Sequence, residues 1–216
     1  MLVRAILCPL ANVLILAIPT LAAAMERPSV VTSGEPRVEL IGHEHIVVLP
    51  KPMKKALDRF NPKFTVWRER DYCSWYAKEC TTRQTPFAVI GDFNGDGVLD
   101  VALHGHDEHR GLIVTVLWKD GKFVVVPIDK GGVTDPREDG EWEENKKVCE
   151  GLTSYLRLLK GPVQFPAYVY NDELPPSEQV GPLDLRTDGV MLGISDKGGV
   201  LYYWDGRVFR TYPLGC

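Results

Sequence analysis

Apolar residues in this chain occur in short runs, many of them rich in β-branched side chains, and turn residues separate the runs. Residues 111–118 and 123–127 form two such runs, and an Asp-Gly pair lies between them at positions 120–121. An Asp-Gly pair between two apolar runs is a strong signal for a β-hairpin. A second Asp-Gly pair, at positions 205–206, predicts another hairpin near the end of the chain.

Helical spacing is clear in one short segment. Residues 53–60 place apolar side chains at helical intervals, Pro52 precedes them, and Asn61-Pro62 ends the pattern. Residues 151–160 fit a short helix or a strand equally well. The expected fold is therefore mainly β, with α+β as the alternative, and consists of an antiparallel sheet or sandwich with one short N-terminal helix.

The polar segment 92–100, between two apolar runs, follows a calcium-loop pattern. Oxygen-bearing side chains occupy its first, third, fifth and ninth positions, and a glycine that permits a tight turn occupies the sixth. Calcium takes about six to eight oxygen ligands, so such a loop can curl until its oxygens converge on one ion. The predicted ligands are Asp92, Asn94, Asp96, Asp100 and the carbonyl of Val98. The alternative is an ordinary turn without an ion, because the same residue types also build turns.

The flanks of this loop indicate which type of calcium loop it is. Both flanks are apolar and strand-like, and an EF-hand would need two helices and a glutamate at the twelfth position, where this chain has Leu103. Residues 86–103 resemble the FG-GAP and VCBS-type repeats of integrin α chains and secreted bacterial proteins, whose motif is strand, D-x-N-x-D-G-x-x-D, strand. The resemblance implies calcium at the five residues above and adhesion or binding of a protein or glycan ligand. The sequence contains one complete motif, so a propeller of repeated blades is not expected.

The N-terminus has the features of a secretory signal peptide. Arg4 precedes an apolar run over residues 5–21, and three alanines follow before Met25. We expect residues 1–24 to be a signal peptide, residues 25–42 a flexible leader, and residues 43–216 a single β-rich domain in the periplasm or outside the cell. A retained membrane anchor is the alternative, and the shortness of the run and its prolines argue against it.

The charge of the chain limits the partners that we expect for it, and the number of cysteines indicates their redox state. The 25 basic and 29 acidic residues give a formal net charge of −4, and no basic stripe is present, so nucleic acid is not an expected partner. Four cysteines remain after signal removal, an even number that suits disulfides in an oxidising compartment. The favoured pairs are Cys73 with Cys80 and Cys149 with Cys216, and a zinc site of four thiolates is the alternative.

Two histidine clusters are candidates for transition-metal chemistry. They consist of His43 and His45, and of His104, His106 and His109. Residues two apart in an extended chain point to the same side, so each cluster could offer two imidazoles to one zinc or copper ion, and an open metal position would activate water. The resulting alternative function is a secreted metal-dependent hydrolase. A further alternative is a non-catalytic partner or inhibitor of a cell-envelope enzyme. The favoured function is an exported, non-catalytic calcium-binding protein with an adhesion-like role.

Overall fold

The computed structural model describes residues 34–73, 80–129, 151–168, 175–176, 179–194 and 198–214. In chain order these residues form β1 (Arg37–Ile41), β2 (Glu44–Val48), α1 (Lys51–Phe60), β3 (Thr65–Val66), the 3₁₀-helix Glu69–Asp71, β4 (Gln84–Thr85), β5 (Ala88–Gly91), β6 (Asp100–His106), β7 (Gly111–Lys119), β8 (Lys122–Pro127), β9 (Ser154–Leu159), β10 (Val163–Phe165), β11 (Leu183–Leu185), β12 (Gly189–Ile194), β13 (Gly199–Trp204) and β14 (Phe209–Leu214). The predicted signal peptide, Cys149 and Cys216 lie outside the described residues.

A central antiparallel sheet organises the molecule. Its strands follow the order β4-β5-β6-β7-β8, and β3 pairs with the end of β6. Alternate residues of its inner strands enter different cores: Val101 and Leu103 belong to one core and Ala102 to the other. Because side chains alternate between the two faces of a strand, the central sheet is covered on both sides. This explains why β6 and β7 are almost continuously buried and why β7 is largely apolar.

A second antiparallel sheet covers one face of the central sheet. Its strand order is β14-β13-β12-β9. Leu156 of β9 and Val190 of β12 pack with Ile113 and Leu117 of the central sheet in a shared core. On the other face, Met53 and Leu57 of α1 are buried in the first core, together with Val38 of β1. The result is a β-sandwich with a helix and a hairpin as a third layer.

The structure confirms the expected mainly β class with one short helix. It also confirms both predicted hairpins, because β7 pairs with β8 and β13 pairs with β14. At the first turn Asp120 has φ 51° and Gly121 has φ 79°, the left-handed conformations that a tight hairpin requires. Residues 151–160, which fitted helix or strand, contain β9. No helix in the described ranges combines the length and hydropathy needed to cross a membrane.

Two expectations are corrected. The flexible leader was expected to extend to residue 42, but Arg37–Ile41 form β1 and pair with β2, so this boundary is wrong. The backbone hydrogen bonds of the hairpin and the burial of Val38 in the first core order this segment, whose sequence Arg-Val-Glu-Leu-Ile alternates polar and apolar residues. The predicted Cys73–Cys80 disulfide is also wrong, because Cys80 is a free thiol.

Candidate calcium site

The predicted calcium loop joins two adjacent antiparallel strands, as its apolar flanks indicated. β5 ends at Gly91, β6 begins at Asp100, and these two residues are paired across the ladder. A side chain at position 91 would not fit, because a Cβ there would lie 2.7 Å from Asp188 Oδ2 and 2.9 Å from Leu158 Cδ1. Glycine at this position therefore lets the strand approach the second sheet just before the loop begins.

The first half of the loop is wrapped around the carboxylate of Asp92. Its Oδ1 accepts the backbone N–H groups of Gly95 at 2.8 Å and Asp96 at 3.1 Å, and its Oδ2 accepts the N–H of Gly97 at 2.9 Å. Gly95 and Gly97 both adopt left-handed φ values, 78° and 81°. These local side-chain to backbone bonds curl the chain as an Asx-type turn does.

Asn94 and Asp96 join the same hydrogen-bonded cluster. Asn94 Oδ1 accepts the Asp96 N–H at 3.1 Å, and Asn94 Nδ2 donates to Asp96 Oδ2 at 3.1 Å and to the Trp118 carbonyl at 2.8 Å. Asp96 Oδ1 accepts the N–H of Val98 at 2.8 Å. The structure therefore links three of the four predicted ligand residues through Asp96, which is hydrogen-bonded to both Asp92 and Asn94.

Asp100, the fourth side-chain ligand, is fully buried beneath the loop. Its Oδ2 accepts the Phe93 N–H and its Oδ1 accepts the Trp118 N–H, each at 3.0 Å. Burial raises the pKa of Asp100 to about 8; the two backbone hydrogen bonds oppose this rise, and the carboxylates of Asp96 and Asp92 add to it. The carboxylates of Asp96 and Asp92 are therefore close enough to disfavour the charged form of Asp100.

The donor set fits calcium, although the loop must close further to hold it. Carboxylate, amide and carbonyl oxygens are the ligands that calcium prefers. Each Asp100 oxygen accepts one hydrogen bond and has a second lone-pair site for an ion. However, the carboxylates of Asp92, Asp96 and Asp100 do not lie, as a set, within 4.8 Å of one another. Binding would have to draw them together around the ion.

Asp188 and Thr187, from the segment before β12, hold the loop against the second sheet. Asp188 Oδ2 accepts the Asp92 N–H at 3.1 Å, and the Asp188 N–H donates to the Asp92 carbonyl at 3.1 Å. Thr187 Oγ1 donates to the Phe93 carbonyl at 2.9 Å, and Lys160 Nζ lies 2.6 Å from Asp188 Oδ2. Sequence reasoning missed both residues, because Asp188 precedes a glycine and resembles an ordinary turn residue.

The structure shows the surroundings of the histidines on which the hydrolase alternative depends. His104 is fully buried with Nδ1 2.7 Å from the Tyr72 hydroxyl, and His106 stacks on Trp67 with ring centroids 4.1 Å apart. All five histidines lie in the described part of the chain. Within that part, His104, His106 and His109 do not belong to any group of three His, Cys, Asp or Glu residues whose ligand atoms lie within 4.8 Å of one another. The two histidine clusters therefore do not form a joint metal site.

Together, the fold and the loop define a β-sandwich protein with an acidic, oxygen-rich loop at the junction of its two sheets. Compared with known proteins, the chain matches no protein-family model, no curated protein and no solved structure. Any function proposed for it therefore depends on the chemistry of its own residues.

Proposed function

We propose that this protein is an exported, non-catalytic calcium-binding module of the cell envelope that binds a protein or glycan ligand. The observation that carries the proposal is the acidic cluster between β5 and β6, in which Asp96 is hydrogen-bonded to both Asp92 and Asn94. The FG-GAP-like and VCBS-like pattern of the loop supports the binding role, and the signal-like N-terminus supports export.

A calcium ion would neutralise the carboxylates of the loop and connect its ligand residues to one another. It would not act on a substrate. The predicted ligands are the side chains of Asp92, Asn94, Asp96 and Asp100 and the carbonyl of Val98. Without an ion, the carboxylates repel one another, and the burial of Asp100 disfavours its charged form. With an ion, the charged form is favoured and the loop gains a rigid centre.

The test is the thermal stability of the purified protein with calcium and with a chelator. If the folded loop binds calcium and the unfolded chain does not, calcium at 100 times its dissociation constant stabilises the fold by about 2.7 kcal/mol. For a domain of this size we expect the melting temperature to rise by about 5–10 °C. Asp96→Ala removes one ligand and should abolish most of this rise while the β-type circular dichroism spectrum is retained.

Asp58→Ala is the matched control, because it removes an exposed aspartate from α1, away from the loop. It should respond to calcium as the unaltered protein does. Identical melting curves of the unaltered protein in chelator and in excess calcium would overturn the calcium proposal. Glycan arrays and pull-downs from envelope extract, each with calcium and with chelator, would then test the ligand-binding part.

A further inference from the structure

A second group of metal-ligating side chains lies outside the acidic loop. His45 comes from β2, Glu69 begins the 3₁₀-helix Glu69–Asp71, and Cys80 precedes β4. One ligand atom from each of the three lies within 4.8 Å of the other two. All three residues are half-buried. Residues from three separate parts of the chain therefore meet at one point that solvent can still reach.

Hydrogen bonds join His45 to the carboxylate of Glu69. Its Oε2 accepts the backbone N–H of His45 at 2.9 Å and lies 2.9 Å from His45 Nδ1. Next to this pair, Arg70 Nη1 lies 3.6 Å from a carboxylate oxygen of Glu44, which is a second contact between the same two elements. The backbone and the imidazole of His45 therefore both contact the Glu69 carboxylate, which fixes these two side chains relative to each other.

We propose that His45, Glu69 and Cys80 form a binding site for a divalent transition metal ion of the zinc type. An imidazole nitrogen, a thiolate sulfur and a carboxylate oxygen are all ligands of zinc, whereas calcium takes oxygen ligands. This site therefore differs in chemistry from the acidic loop. With three protein ligands, a tetrahedral ion keeps its fourth position open to water or to another small ligand.

The distances suit such an ion after small side-chain rotations. Zinc-ligand bonds of about 2.0–2.3 Å place neighbouring ligand atoms of a tetrahedral site roughly 3.3–3.8 Å apart. His45 Nδ1 and Glu69 Oε2 lie 2.9 Å apart, and ligand atoms of all three residues lie within 4.8 Å of one another, so the spacing is close to that range. His45 also lines a cleft of about 700 Å³ between β2, α1 and the segment that follows α1, so the site borders space that water can enter.

A cysteine, a histidine and a glutamate could also form a nucleophilic triad, and the surroundings of the thiol argue against this. A nucleophilic thiol needs a positive environment that favours the thiolate. The Cys80 sulfur instead lies half-buried within 4.8 Å of an oxygen of the Glu69 carboxylate, a negative group that disfavours the thiolate. A divalent ion can bind the sulfur and the carboxylate together.

The test is a titration of the full metal-free protein with Co²⁺, which replaces zinc and reports thiolate ligation by its charge-transfer absorption. We expect one tightly bound Co²⁺ with that absorption, and its displacement by Zn²⁺. Cys80→Ser should abolish the absorption, and Glu69→Gln should weaken the affinity by at least roughly 100-fold, since loss of even an outer-sphere partner costs about 10–100-fold.

The matched control is His43→Ala, which removes an exposed imidazole two residues from His45 and should leave the titration unchanged. Asp96→Ala in the acidic loop should also bind Co²⁺ normally, which separates this site from the calcium proposal. Circular dichroism shows whether each variant is folded. The proposal is overturned if the unaltered protein gives no thiolate absorption, or if Cys80→Ser binds Co²⁺ as the unaltered protein does.

Discussion

At the scale of single residues, His104 shows how burial sets the protonation of a side chain. Its ring is fully buried in β6, Nδ1 lies 2.7 Å from the Tyr72 hydroxyl, and Nε2 has no hydrogen-bond partner among the described residues. Burial, with a smaller contribution from the neighbouring His106, lowers the pKa of His104 to about 3. The folded protein therefore holds this imidazole neutral at any pH well above that value.

We expect His104 to make the fold acid-sensitive. An unfolded histidine has a pKa of about 6.5, so below that pH the unfolded chain binds a proton that the folded protein does not. The free energy of unfolding should then fall toward lower pH by up to about 1.4 kcal/mol per pH unit from this residue alone, or roughly 2.3 kcal/mol between pH 6.5 and 4.5. Urea unfolding at a series of pH values measures the slope.

His104→Asn should remove this contribution, so its free energy of unfolding should fall by less on acidification than that of the unaltered protein, whatever the substitution does to stability at neutral pH. His109→Asn, which removes an exposed imidazole from the loop after β6, is the matched control and should keep the slope. Equal slopes in His104→Asn and the unaltered protein would show that His104 is not the source of the acid sensitivity.

At the scale of elements, the end of β5 is where the loop meets the second sheet. A Cβ at Gly91 would lie 2.7 Å from Asp188 Oδ2, 2.9 Å from Leu158 Cδ1 and 3.0 Å from Phe93 Cε1. Asp188 cannot move away freely, since Oδ2 also accepts the Asp92 N–H and lies 2.6 Å from Lys160 Nζ. A methyl group at position 91 therefore disturbs the contact between the two sheets.

Gly91→Ala should lower the free energy of unfolding by about 1–3 kcal/mol, the usual range for overpacking a buried position. Chemical denaturation in the presence of a chelator measures this without a contribution from calcium. Gly181→Ala is the matched control, because nothing lies within 4 Å of a Cβ at that position and its effect should stay within about 0.5 kcal/mol. If the two variants lose the same stability, close packing at position 91 is not the cause.

The elements that the sequence predicts are set by local backbone conformation and residue spacing. The contacts that it missed at the two candidate sites join residues that are distant in sequence. Asp120 and Gly121 determine their hairpin by their own conformation, and the spacing of Met53 and Leu57 gives the buried side of α1. The alternating sequence of β1, Arg-Val-Glu-Leu-Ile, is a strand signal that the loop-like composition of the residues before it obscures. The group around Cys80 and the contact of Asp188 with the loop join residues far apart in sequence, and no local spacing reports such contacts.

At the scale of the whole molecule, the two sheets are tied together along one edge by hydrogen bonds as well as by their apolar core. The Leu156 N–H of β9 donates to the Pro86 carbonyl at 2.8 Å, and the Leu158 N–H donates to Gln84 Oε1 at 3.0 Å. The reciprocal bonds between Asp92 and Asp188 extend this edge to the acidic loop. Ordering of the loop should therefore stabilise both sheets together.

Calcium should consequently slow amide hydrogen exchange beyond the loop itself. In the unaltered protein we expect added protection in β5 and β6, which flank the loop, and also in β9 and β12 of the second sheet, because local opening there must break contacts that the ion stabilises. The β1–β2 hairpin packs on the opposite face of the central sheet and serves as the internal reference. In Asp188→Ala, which loses the bond to the Asp92 N–H but keeps the bond from the Asp188 N–H to the Asp92 carbonyl, calcium should protect β5 and β6 but protect β9 and β12 less than in the unaltered protein. Protection confined to residues 92–100 in the unaltered protein would mean that the loop binds its ion without coupling the two sheets.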